Sequence, residues 1–317
     1  MSTHECPVIK VKLEKHPGAD TLSLVHIYGY TCVVRTQDWK DGDIAVYIPP
    51  DFVCPDTEQF AFLGDKKRIK CKKLRGIVSE GLLIKAPQES KPGDNVRDQL
   101  GIKRYNPELS RWGNTGGEDE IPPKLSAPYY DIENYKRYRH LITSGENVVI
   151  TEKLNGCNAR FVYHDGRMRC GSHGHWKRES EKNLWWKALS QNIWIENWCK
   201  AHEDHIVYGE CFGQVGGWRY GSESGQIKLA IFDIRYDGRW LEYDYARQIS
   251  DDCIWVPELY KGPFDEETAL RMAEEDSSIK DTNTIREGVV VTAIPEKISP
   301  EIGRIKLKIV SNRYLSS

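Results

Sequence analysis

Between residues 147 and 310, the apolar stretches most consistent with strands carry charge at their ends or on alternate positions. Val148-Val149-Ile150-Thr151 runs into Glu152 and Lys153; Ile206-Val207-Tyr208-Gly209 runs into Glu210. Arg286-Glu287 precedes Gly288-Val289-Val290-Val291, Lys228 opens Leu229 to Ile234, and Arg304 to Ile309 alternates basic with apolar. Charged side chains are almost never fully buried without a partner. Such strands must therefore share sheets whose charged edges converge on one cleft. In Arg304 to Ile309 the period of two places Lys306 and Lys308 on one face and Ile305, Leu307 and Ile309 on the other.

The pattern differs at the N-terminus. Val8 to Leu13, Leu22 to Ile27, Thr31 to Arg35, Ile44 to Ile48 and Gly81 to Ile84 are short apolar or alternating runs. Pro17-Gly18, Lys40 to Asp43 and Pro49-Pro50 separate them. This spacing predicts a small β-barrel over residues 1–100. Prolines and the glycine-rich stretch Gly113 to Glu120 predict a linker over 101–127. A second domain follows over 128–317. Its strands are mixed with two expected helices, Glu179 to His202 and Asp265 to Asp276, the latter with Asp265 as N-cap. The helices are grouped, so the fold class expected is α+β rather than a doubly wound parallel sheet.

Composition narrows the setting. The net charge of −2 gives no global pull toward polyanions, and no segment approaches the ~20 apolar residues of a membrane span. Nine cysteines are scattered without a C-x-x-C pair, against a disulfide framework and a structural zinc site. His173 and His175 lack a third ligand at zinc spacing. Free thiols place the chain in a reducing compartment, cytoplasmic or nuclear. Charge is concentrated locally: Lys66, Lys67, Arg68, Lys70, Lys72, Lys73 and Arg75 are seven basic residues in ten. That is a phosphate-backbone patch.

Glu152-Lys153-Leu154-Asn155-Gly156-Cys157-Asn158 resembles the nucleotidyl motif of ATP-dependent RNA ligases, a superfamily that includes DNA ligases and capping enzymes. Asn155, where the latter two carry Asp, and Asn158 favour the RNA ligases. The other charged strands match the later family motifs in order. His16 to Ser23 and Leu74 to Leu83 resemble OB-type tRNA-binding modules, so the fold implied is an N-terminal OB-like barrel followed by a mixed antiparallel-sheet, ATP-grasp-like nucleotidyltransferase domain. Nine residues follow Lys308, and no C-terminal OB domain is expected.

The resemblance implies the site residues. Lys153 would take AMP covalently from ATP, with Lys306 and Lys308 holding the phosphate and lowering the proton affinity of Lys153. Glu210 and Glu287 would organise Mg²⁺ or Mn²⁺ through water, Glu210 with the ribose hydroxyls as an alternative. Glu152, Asn155, Gly156, Asn158 and Arg178 would bind the nucleotide, and Phe232 would stack on adenine. The family's Ser-Arg element falls on Ser172-His173; Arg178, Lys177 or Arg160 replaces its arginine. The implied reaction seals 3′-OH and 5′-phosphate ends of RNA, at nicks in duplexes, with no membrane partner; a monomer is favoured, the oligomeric state being left open by the sequence. A GTP-dependent capping-type transferase and a non-catalytic RNA-binding protein on a degenerate ligase fold are the alternatives.

Overall fold

The computed structural model describes residues 4–105, 118–215, 217–280, 282 and 284–317. Two units divide the chain near residue 107.

In the first unit the strand Ile44–Ile48 is the organiser. It pairs antiparallel with Val8–Lys10 on one side and Leu82–Lys85 on the other. Successive side chains of a strand point to opposite faces, and here both faces are apolar. Ala45 and Tyr47 pack with Val25, Ile27 and Val34; Val46 and Ile48 pack with Val8, Phe52 and Phe60. A strand buried on both sides needs layers above and below it. A three-stranded sheet containing Leu22–Ile27 and Tyr30–Arg35 supplies one of them. The expected small barrel is the result. The segment expected to begin the linker belongs to this fabric: Ile102 enters the core, and Lys103–Arg104 pairs with Phe52–Val53.

The second unit is built on two sheets. The larger, six-stranded and antiparallel, contains Cys157–His164, Ile206–Gly213 and Ile227–Tyr236 as its centre. The other is five-stranded, with Lys306–Val310, Gly288–Ala293 and Asn147–Lys153 adjacent and antiparallel. Only Glu133–Asn134 is parallel to its neighbour there. The α+β expectation holds. From the expected linker, Asp119 bridges to Lys177 and the Glu120 N–H donates to the Trp176 carbonyl. Residues 106–117, including most of the glycine-rich stretch, lie outside the described residues.

The helix expected over Glu179 to His202 is two helices, Leu184–Gln191 and Ile193–Ala201. The first starts late because Asn183 caps it, accepting from the N–H groups of Trp185 and Trp186. It stops at Asn192, whose backbone leaves the helical region and whose side-chain amide donates to the carbonyls of Ala188 and Ile227. Asn competes for backbone groups in this way, which disfavours it inside helices. Both helices put tryptophan into the core: Trp185 and Trp198 pack with Phe161, Val207 and Ile231 of the six-stranded sheet. The Asp265-capped helix is Glu266–Ala273, with the cap bond to the Thr268 N–H.

Replacing Asn192 with Ala removes two side-chain hydrogen bonds, to the buried carbonyl ends at Ala188 and Ile227. We expect a loss of about 1–2 kcal/mol, read as a lower urea midpoint with an unchanged slope. A midpoint equal to wild type would mean that the helices need no break.

Candidate active site

Alternation on Asn147–Lys153 sorts the site from the core. Val148 and Ile150 face an apolar cluster with Val289, Val291, Leu307 and Ile309. Thr151 and Lys153 face the other way. Across the sheet Lys153 stands opposite Gly288, Thr151 opposite Val290, Val290 opposite Lys308, and Thr292 opposite Lys306. Registered partners point to the same face. Lys153, Lys308 and Lys306 therefore line one face, with Lys308 roughly 7 Å and Lys306 roughly 13 Å along the strand direction from the Lys153 row. Gly288 lets the strands close: a Cβ there would lie 2.1 Å from the Ile309 carbonyl.

At the strand end, the Lys153 ammonium bonds the Glu287 carboxylate at 2.5 Å. Asn155 completes the arrangement with all its side-chain polar groups. Its Nδ2 donates to Glu287 Oε2 at 3.2 Å and to the Tyr314 hydroxyl at 2.8 Å. Its Oδ1 accepts from the Gly217 N–H at 2.9 Å, and its own N–H donates to the Tyr220 hydroxyl. An Asp could not donate to Glu287 and would add a third carboxylate. Glu210 arrives from the six-stranded sheet and accepts from the Gly156 N–H. Gly156 is required by that approach: a Cβ would lie 2.1 Å from the Cys211 carbonyl. Its tight contact is with protein backbone.

The electrostatics differ from the expectation for the lysine. Burial alone pulls Lys153 down, but Glu287 and Glu210 outweigh it and hold the amine above its ordinary value. Lysines 306 and 308 are not what sets its proton affinity. Lys306 is committed to Asp233 at 2.9 Å. Burial is also the largest influence on Glu210, raising it to about 8, with Glu287 adding to the rise and Lys153 opposing it.

A second cluster surrounds Asp233. Its carboxylate takes the Tyr130 hydroxyl, Arg304 and Lys306, at 2.7, 2.7 and 2.9 Å. Burial would push Asp233 up, yet Arg304 and Lys306 hold it down at about 2. Lys306 is the lysine whose affinity falls, through burial and the charge of Arg304 against the pull of Asp233. A register shift makes this possible. Gly209 faces Ile231 but Tyr208 faces Asp233, so Phe232 is the extra residue of a bulge. Ile231 and Ile234 stay in the helix-side core, while Phe232 packs 4.7 Å from Tyr130.

Several expected residues lie elsewhere. Glu152 points to the face opposite Lys153, where its carboxylate takes the Ser277 hydroxyl and the Ser278 N–H and hydroxyl. Arg178 is exposed and pairs with Glu118. Among its alternatives, Lys177 bonds Asp119 at 2.7 Å, and Arg160 lies buried over Trp176 and donates to the Ala127 carbonyl. Arg160 shares a face with Glu210, two positions along from Asn158. His173 stacks on Tyr129. Asn158 stands opposite Glu210 in register, and its buried Oδ1 has no hydrogen-bond partner among the described residues.

Tyr220, Tyr314, Asp233, Arg304 and Tyr130 were missed. Asp233 had a signal, a carboxylate inside an apolar strand; the tyrosines had none. Tyr314 arrives on Asn312–Leu315, a short helix held by the Glu274 carboxylate through the Ser311 hydroxyl and the Asn312 N–H.

The basic run of the first unit divides in two. Lys67 is tied to Asp56 and the Phe60 carbonyl, and Arg68 to Asp51. Lys66, Lys70, Lys72, Lys73 and Arg75 are exposed.

The sequence model of the RNA ligase family matches residues 146–310, the stretch that supplies Lys153, Glu210, Glu287, Lys306 and Lys308. The chain belongs to the RNA ligase family. An OB-fold domain model matches residues 7–86 of the same RNA ligase family member. No curated relative matches it. Its fold is that of a Naegleria gruberi RNA ligase solved as a mutant with ATP and Mn: TM-score 0.81, 23% identity, 98% of each chain covered. The same protein solved with PPi gives 0.81 at 24% identity, covering 99% of this chain and 98% of that one. A mutant with AMP and Mn gives 0.81 at 24% identity, covering 98% of each.

Glu210 provides a pH signature. Its folded value lies above the unfolded one, so the folded protein holds the extra proton between about pH 4.5 and about 8. Stability from this group therefore falls as pH rises through that window. Glu210→Gln removes the decline: its thermal midpoint should exceed wild type at pH 9 and nearly match it at pH 4. Equal midpoints at both pH values would show that Glu210 is not destabilised by its surroundings.

Proposed function

We propose that this RNA ligase joins 3′-OH and 5′-phosphate ends, preferentially at nicks in RNA-containing duplexes, through AMP carried on Lys153. What carries the reading is the placement of the Lys153 amine beside Glu287 and near Glu210. Two further lysines share its sheet face.

The amine must first lose its proton, and Glu287, already bonded to Nζ, is the acceptor at hand. Nζ then attacks the α-phosphorus of ATP; the N–P bond forms, the bond to pyrophosphate breaks, and pyrophosphate leaves. A 5′-phosphate oxygen next displaces the lysine from that phosphorus, giving a pyrophosphate-linked end. The 3′-OH attacks the end's own phosphorus, its proton is lost, and AMP leaves as the phosphodiester forms. Lys308 and Lys306 stabilise phosphate charge that grows during attack. Phe232 offers its ring to adenine, and Asn155 holds Glu287 in place. The buried Oδ1 of Asn158, across from Glu210, suits a ribose hydroxyl or a metal-bound water.

The donor set also fits Mg²⁺ or Mn²⁺. Glu210 and Glu287 are hard oxygen donors that both lie close to the Lys153 amine. Among the described residues no three His, Cys, Asp or Glu side chains form a cage. Water and phosphate oxygens would complete the shell. When bound, the cation would offset the carboxylate charge that now keeps Lys153 protonated.

Two side-chain deletions test this. Lys153→Ala should gain no adenylate mass with ATP and manganese, while its unfolding midpoint shows a folded protein. Lys306→Ala should form adenylate about a hundredfold more slowly or worse, measured in single turnover. A wild-type protein that gains no adenylate overturns the reading; transfer from GTP alone assigns a capping-type reaction instead.

A further inference from the structure

Asn155 reaches Glu287 over 3.2 Å, but its other two side-chain bonds are shorter: 2.8 Å to the Tyr314 hydroxyl and 2.9 Å from the Gly217 N–H. The terminal torsion of an asparagine is soft. The two shorter contacts therefore set the plane of the amide, and Glu287 meets the edge they leave. Gly217 decides which way the amide faces, because its N–H requires the oxygen. Tyr314 decides where the nitrogen sits.

Tyr314 is itself held from several sides. The Glu274 carboxylate accepts from the Ser311 hydroxyl and from the N–H groups of Asn312 and Arg313, and the Arg313 guanidinium donates to the Glu274 carbonyl. Ser311 is fully buried; its N–H donates to the backbone carbonyl of Glu287, and its hydroxyl accepts from the Tyr314 N–H. The bonds close a circuit from the Glu287 backbone through Ser311, Tyr314 and Asn155 to the Glu287 carboxylate. The Tyr314 ring lies 6.2 Å from that of Trp218, the neighbour of Gly217, so the two elements that grip Asn155 also pair with each other. No residue of the helix Asn312–Leu315 is buried. Packing does not account for such anchoring; what it delivers is the phenol oxygen.

We infer that Tyr314 is a positioning residue for lysine adenylation: its oxygen holds the Asn155 amide against Glu287, which keeps the Glu287 carboxylate aligned to take a proton from the Lys153 amine. It acts through Asn155 and needs no contact with substrate. The inference rests on the AMP-carrying role of Lys153 and adds to it a residue beyond 310, where the family stretch stops.

Single-turnover adenylation of the full chain, with ATP and manganese, tests it. Tyr314→Phe keeps the ring beside Trp218 and removes only the oxygen. It should adenylate about tenfold more slowly at saturating ATP, with the half-saturating ATP concentration unchanged. Asn155→Ala should be slower still. The double variant should be no slower than Asn155→Ala alone, since the oxygen then has nothing left to hold. A Tyr314→Phe protein that reacts at the wild-type rate overturns the inference. So does a double variant whose losses multiply, or a defect that more ATP restores. Wild type that forms no adenylate defeats the Lys153 chemistry and this inference together; an active wild type beside an unimpaired Tyr314→Phe defeats the inference alone.

Discussion

The bond between Lys153 and Glu287 governs the second unit's chemistry. Two opposite charges have been brought out of bulk water to one strand end, and each needs the other there. Removing one partner of such a pair leaves an uncompensated charge, which costs more than the pair itself contributes. Asn155 makes the arrangement specific. By donating to both Glu287 and Tyr314 it ties the lysine's turn to a loop, a neighbouring strand and a short helix. The resting amine is therefore held as an ammonium by its bond to Glu287.

The Asp233 cluster works in the opposite direction. Burial, with the charge of Arg304, outweighs the pull of the carboxylate that Tyr130, Arg304 and Lys306 share, so Lys306 sits below its ordinary proton affinity. Glu296 takes up part of the charge on Arg304. The two lysines at the ends of this sheet face thus have opposite tuning: burial opposes the charge of both, and Lys306 also faces the cation Arg304.

Much of this was legible because alternation is local. Asn147–Lys153 and Gly288–Ala293 follow from their apolar runs, and the shared face of Lys306 and Lys308 from period two. The same rule should have separated Glu152 from Lys153, since adjacent strand residues point opposite ways. Glu152 instead supports a distant loop through Ser277 and Ser278. What the sequence hid depends on register or on long-range contact. The bulge at Phe232 exists only relative to the neighbouring strand, and Tyr220 and Tyr314 meet Asn155 across 65 and 159 positions of chain. The run of seven basic residues looked uniform because the acids that occupy Lys67 and Arg68, Asp56 and Asp51, come earlier in the chain.

Two hydrogens set a limit on how such a sequence can drift. The α-hydrogens of Gly156 and Gly288 occupy the places where neighbouring strands come nearest, and a methyl at either would displace a carbonyl. Leucines and valines of the surrounding core can be exchanged for one another with partial repacking. These two positions have no such neutral neighbours, so lineages descending from this chain can wander around the pocket but have almost no path through it.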